Sequence, residues 1–198
     1  MPTDDIQTEH PEPDSLSGPG LYNTSPIPEL WISTPHSCHL HLQDDRWTEV
    51  INGSVEDRFW QMIAGIPEIV DGQVLNLGFI WTDADHITAL NHDFRDKDKP
   101  TNVLSFPDGD KDPETGEIYL GDVFLCWDVM SDEAAEQHVS LQHHTLHLML
   151  HGVLHLLGYD HIAPNEANEM ESLEAQLLAK VGIANPYAET SMPNEVIS

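Results

Sequence analysis

The sequence predicts an α+β fold: a mixed sheet of about four strands packed with about five helices, with a pair of histidines on a central buried helix. Two observations set the class. Apolar or alternating runs of strand length are interleaved with stretches of helical periodicity, which excludes an all-α or all-β chain. The segment 140–157 carries Leu146, Leu148, Leu150, Val153, Leu154, Leu156 and Leu157. These make a helix apolar nearly all round, the pattern of a buried one. A buried helix is a rigid platform for any side chain that must be held still.

The elements follow in order. Residues 38–43 and 47–51 alternate around Leu40, Leu42, Trp47 and Val50, which reads as a strand or a bent strand pair. Ser54 with Asp57 resembles a capping box, opening a helix to about Gly65 with Val55, Phe59, Met62 and Ile63 on one face. Gln73–Trp81 is a strongly apolar strand. Thr82 or Asp83 then starts a helix to about Phe94, and Lys99-Pro100 bars any helical continuation. Thr101–Phe106 is a short strand, 107–117 a polar loop, and Ile118–Trp127 another strand. The chain is helical from Val129, with Ser140 capping a second helix to Leu157. Pro164 opens a last helix to about Lys180, before Gly182.

The chain of 198 residues reads as one domain with tails: 1–35 an acidic, proline-rich, disordered segment, 36–187 the folded unit, 188–198 a flexible end. Half of the 14 prolines fall in the first 35 residues, which carry no lysine or arginine. That segment lacks the positive start and apolar run of a signal peptide. No stretch reaches the roughly 18 apolar residues that span a bilayer. Cys38 and Cys126 read as free thiols, so the expected setting is the cytoplasm.

The chemistry is concentrated in His151-Gly-Val-Leu-His155-Leu-Leu-Gly-Tyr-Asp-His161. Residues i and i+4 of a helix share a face, so His151 and His155 can aim two ring nitrogens at one ion. Gly158 is placed to cap the helix and let the chain fold back. His161 then returns to the same point and makes a third ligand. His147, four residues before His151, offers a second pair, and spacing does not choose between His147 and His161. Three histidines leave a fourth tetrahedral position for water, as in catalytic zinc sites. The peptidase class is disfavoured, because its general-base glutamate follows the first histidine and Gly152 stands there instead. Asp108-Gly-Asp110-Lys-Asp112 opens like a calcium loop but has Pro113 at the sixth position and Tyr119 at the twelfth. No phosphate-binding glycine loop, dinucleotide fingerprint or internal repeat is present.

The run His147–His161 resembles the signature of the YbeY family, bacterial metal-dependent endoribonucleases of ribosomal RNA maturation. Three further blocks agree in order: Leu90–Pro107, Leu120-Gly121-Asp122, and Met170-Glu171 with Glu174 and Gly182–Tyr187. The resemblance covers about residues 37–187. It implies His151, His155 and His161 as ligands of one zinc ion per chain, with Arg95 facing the site. The chain departs from the family at Asn102, where aspartate is frequent, and in its long acidic N-terminal extension.

The net charge of −28 is unusual for a nucleic-acid enzyme. Of seven lysines and arginines, Arg95, Lys97 and Lys99 lie within five residues, in the block that resembles the family's active-site segment. Phosphate contact is the reading of that trio. Elsewhere the acidity weakens non-specific binding, although acidic surfaces also occur in salt-adapted proteins. The expected function is therefore a single-strand-specific zinc endoribonuclease that cleaves RNA phosphodiesters with a zinc-activated water, Arg95 clamping the phosphate. Asp160 and Asp122 are candidates to orient a ligating histidine. The resemblance places the activity at the 3′ end of small-subunit rRNA and in ribosome quality control. It implies rRNA, the small ribosomal subunit, ribosomal proteins and an assembly GTPase as partners, with no membrane. Two other classes fit the same residues: a non-catalytic ribosome-assembly factor with a structural zinc, and a zinc hydrolase of a non-RNA substrate.

Overall fold

The computed structural model describes residues 30–33, 35–70, 74–109 and 117–188. Five strands form one mixed sheet: β1 (Leu30–Ser33), β2 (His36–Leu42), β3 (Asn76–Thr82), β4 (Val103–Pro107) and β5 (Tyr119–Cys126), in the order β1-β2-β3-β5-β4. β2, β3 and β5 run parallel, while β1 and β4 pair antiparallel at the two margins. Six helices accompany them: α1 (Gly53–Ile63), α2 (Pro67–Val70), α3 (Ala84–Arg95), α4 (Trp127–Glu136), α5 (Leu141–Leu156) and α6 (Pro164–Lys180). This is the expected α+β class, with one strand and one short helix more than the sequence suggested.

Strand alternation sorts the core. On β5, Val123 and Leu125 join the main cluster with Val153 and Leu154 of α5, while Cys126 and Phe124 join Ile87 and Leu104 beneath α3. α5 packs against β4 and β5 and also against α1, α4 and α6. Leu146, Leu150, Val153 and Leu154 are wholly buried, as the all-round apolar pattern requires. Gly152 permits the close approach to the sheet. A Cβ there would lie 2.5 Å from Val123 Cγ1 and 3.3 Å from Ser105 Oγ. Ser105 Oγ donates to the Gly152 carbonyl at 3.1 Å.

Three expectations are corrected. β1 lies inside the segment assigned to the tail, and Trp31 brings it into the core against Phe59 at 6.0 Å between ring centroids. Residues 47–51 are not a strand. Asp45–Glu49 forms a 3₁₀ helix because the Asp44 side chain accepts from the Arg46 N–H and starts a turn. Trp47 then points inward and donates to the Thr82 carbonyl at 3.3 Å. Helix α1 is capped not by Ser54 but by Asn52, whose side chain accepts from the N–H groups of Ser54 and Val55. Asp83 and Ser140 do cap α3 and α5, and Pro164 does open α6. α3 ends at Arg95 because Asp96 takes the left-handed conformation, φ 54°. The rest of the N-terminal tail, the C-terminal tail from 189 and the calcium-like loop from Asp110 lie outside the described residues. Cys38 and Cys126 are buried free thiols. No described helix is long and apolar enough to cross a membrane.

Candidate metal centre

Helix α5 delivers two imidazoles and the turn after it delivers a third. The helix ends in a Schellman arrangement: the Tyr159 N–H donates to the Leu154 carbonyl and the Gly158 N–H to the His155 carbonyl, both at 3.0 Å. Gly158 sits at φ +92°, which a side-chain-bearing residue rarely adopts. The reversal carries His161 back over the helix. Its ring centroid lies 5.3 Å from that of His151 and 5.0 Å from that of His155. One ligand atom from each of the three rings falls within 4.8 Å of the other two.

The outer nitrogens of two rings are already committed. His151 Nδ1 donates to Glu174 Oε1 at 2.8 Å, and His155 Nδ1 donates to the Tyr159 carbonyl at 2.9 Å. A neutral imidazole with its proton on Nδ1 has a bare lone pair on Nε2. The two Nε2 atoms face each other at 3.0 Å. Two lone pairs at that distance repel unless a cation lies between them, so the donor set fits a bound metal ion. Burial, aided by the neighbouring His151 and His161 rings, lowers the His155 pKa and keeps this ring neutral, the form that ligates.

His147 does not join the group. Its Nε2 is turned to the Tyr187 hydroxyl at 3.2 Å and to Glu174 Oε2 at 3.4 Å. The turn brings His161, and not His147, into the group with His151 and His155. Glu174 is wholly buried on α6 and joins His147, His151 and the Tyr187 hydroxyl, which donates to Oε2. Burial pushes its carboxyl up, but the hydrogen bonds from His147 and His151 outweigh that and hold it at about 2. Burial, together with the same carboxylate, pushes the half-buried Tyr187 hydroxyl well above its ordinary pKa.

The aspartates expected to orient a ligand are engaged elsewhere. Asp160 accepts from the His161 backbone N–H at 2.7 Å and shapes the turn. Asp122 accepts from the Tyr119 hydroxyl at 2.6 Å on β5. Glu174 and the Tyr159 carbonyl hold the histidines instead. Glu174 belongs to a block quoted above, but no spacing rule connects it to His151 across 23 residues.

The three histidines line a cleft of about 330 Å³ that Arg95, Thr101, Asn102 and Ser105 also line. None of the described residues lining it is a carboxylate. Arg95 also lines an adjoining cleft with Lys97 and Lys99, which stand apart from the histidines.

A family model described as Endoribonuclease YbeY matches residues 41–182. The chain belongs to the YbeY family. The endoribonuclease YbeY of Chromohalobacter salexigens is 47% identical over 144 residues, covering 72% of this chain and 91% of that protein. The YbeY of Colwellia psychrerythraea is 54% identical over 101 residues, covering 50% of this chain and 64% of that one. The solution structure of a Thermotoga maritima protein, 23% identical, covers 77% of this chain and 91% of its own length with a TM-score of 0.50. That likeness concerns the fold. The YbeY match contains all three histidines, Arg95 and Glu174, while Tyr187, which also lines the cleft, lies just beyond it.

Proposed function

We propose that this protein is a zinc-dependent endoribonuclease acting on single-stranded RNA. The observation that carries the reading is one cleft lined both by the histidines with their paired Nε2 lone pairs and by Arg95. His151, His155 and His161 would hold the zinc, which would supply a Lewis acid and lower the pKa of water to about 7. The chain's own groups do the rest. Glu174 and the Tyr159 carbonyl fix the tautomers, so that the ligating nitrogens need no rearrangement. Arg95 presents a fork of donors to the non-bridging oxygens, where charge grows as the phosphodiester breaks. Lys97 and Lys99 take the flanking phosphate. A cleft of about 330 Å³ has room for about one nucleotide.

The RNA assigned is the 3′ end of small-subunit rRNA, in maturation and ribosome quality control in the cytoplasm. The small ribosomal subunit, ribosomal proteins and an assembly GTPase are the partners. The family resemblance supports this, and so does the charge. At −28 the chain repels RNA at long range, so a docking partner is needed to bring the strand to its few cations.

The test is cleavage of a single-stranded RNA by the purified protein, its chelated form, His155→Ala and Arg95→Glu, beside elemental analysis. Chelation and His155→Ala remove both metal and cleavage. Arg95→Glu removes cleavage and retains zinc. Cleavage that persists in the metal-free protein would sink the reading.

A further inference from the structure

The cleft that adjoins the metal cleft has a volume of about 290 Å³ and shares Arg95, Thr101 and Asn102 with it. Lys97 and Lys99 line it, which suits a phosphate, but so does Glu133 of α4, which would repel one. A site for phosphate alone has no use for that carboxylate. An anionic group and a donor edge on one ligand satisfy both, and a nucleotide has both.

The acceptors are well defined. Asn102 Nδ2 donates to both Glu133 oxygens at 3.1 and 3.0 Å, and His144 Nε2 lies 2.8 Å from Oε2. Those partners fix the carboxylate and take about three of its roughly four lone-pair sites. Oε1 retains capacity for one more donor, on a side chain that is 30% exposed. Burial pushes the Glu133 carboxyl up, yet its hydrogen bonds to His144 and Asn102 prevail and keep it ionised at neutral pH. Asn91 gives an independent sign. It is 2% exposed and lines the same cleft. Its Nδ2 donates to the Lys99 carbonyl at 2.7 Å, while its Oδ1 is buried without a hydrogen-bond partner. Native structures seldom leave such an acceptor unmet. Pro100 and Val129 add apolar surface against which a planar ring can lie.

We propose that this second cleft is a base pocket, in which Glu133 and Asn91 each accept an N–H donor from the nucleobase beside the scissile phosphate while Arg95, common to both clefts, holds the phosphate between them. Guanine is the base favoured, because its Watson–Crick edge presents two adjacent N–H groups, one for the open site on Glu133 Oε1 and one for the unmet Asn91 Oδ1. Adenine and cytosine place an acceptor beside their amino group, and uracil sets one N–H between two carbonyls. Unstacked bases of single strands are read along this edge. The inference rests on the nuclease reading above and adds a sequence preference to it.

The experiment uses the zinc-loaded full chain and uridine-tract 2′-O-methyl oligonucleotides carrying one guanosine, inosine or adenosine. Guanosine should tighten binding about tenfold over uridine, and inosine, which lacks the 2-amino group, should lose most of that gain. Glu133→Gln should level the order while its zinc content stays equal to wild type. Equal affinity for all the oligonucleotides overturns the base pocket and leaves the nuclease reading intact. A guanosine preference that survives Glu133→Gln overturns the assignment of Glu133. Absence of any RNA binding or cleavage overturns both. If Glu133→Gln does not fold, the guanosine–inosine comparison on the wild-type chain decides alone.

Discussion

Glu174 shows how a single side chain prepares a metal centre. Its carboxylate meets His151, His147 and Tyr187 from inside the core, where an unpaired charge is costly. Removing it leaves His151 free to rotate or to change tautomer. Glu174→Ala should weaken metal binding about 10–100-fold in a chelator-competition titration, as losses of such supporting groups do. Unchanged affinity would mean that His151 is held by its packing alone. A second residue, Asp128, accepts from Arg46 at 2.7 Å and from the Ala84 N–H at 2.9 Å, tying the first turn of α4 to the start of α3. The Arg46 hydrogen bond is the main reason its carboxyl titrates below the ordinary range. A carboxyl with a depressed folded-state pKa stabilises the fold fully above its unfolded value. That contribution is lost as pH falls through the folded value, below about 4. Asp128→Asn should therefore lower stability by roughly 1 kcal/mol at pH 7, the pair being half exposed. It should also flatten the acid limb of the stability–pH curve. The histidine trio was legible in the sequence because its members are four and six residues apart. Glu174 and Glu133 were not, because each reaches its partner only through packing between helices.

At the scale of elements, the legible parts are those whose signals are local. Ser140, Asp83 and Pro164 mark helix starts by chemistry that acts within three residues. The apolar ring of α5 marks its burial for the same reason. Misreadings arose where tertiary contacts decide. Trp47 and Val50 alternate like a strand, yet Asp44 turns the backbone and Trp47 stacks edge-on to Trp127 at 5.1 Å. β1 was hidden by the prolines around it, at 26, 28 and 35, which give that stretch the composition of a tail. Its anchor is Trp31, 1% exposed. Trp31→Ala should cost about 3–5 kcal/mol in denaturant unfolding, the range for emptying a large aromatic site. A cost under 1 kcal/mol would show β1 to be an ornament of the sheet and not part of its core.

For the whole molecule, charge sets two opposed responses to salt. Self-repulsion at −28 opposes the compact state, and screening relieves it. The melting temperature should rise with ionic strength. RNA affinity should fall over the same range. Three cations at the clefts predict a slope of about −2 in log affinity against log salt for a single strand. A slope near −5 would demand phosphate contacts beyond Arg95, Lys97 and Lys99. The order of the strands adds a constraint on assembly. β4, at one margin of the sheet, forms a wall of the metal cleft through Val103 and Ser105, whereas β1 forms the far margin. A neighbour that lengthened the sheet along β4 would crowd the entrance to the candidate metal cleft. Growth along β1 leaves that doorway clear, so strand addition is compatible with a working enzyme on one flank alone.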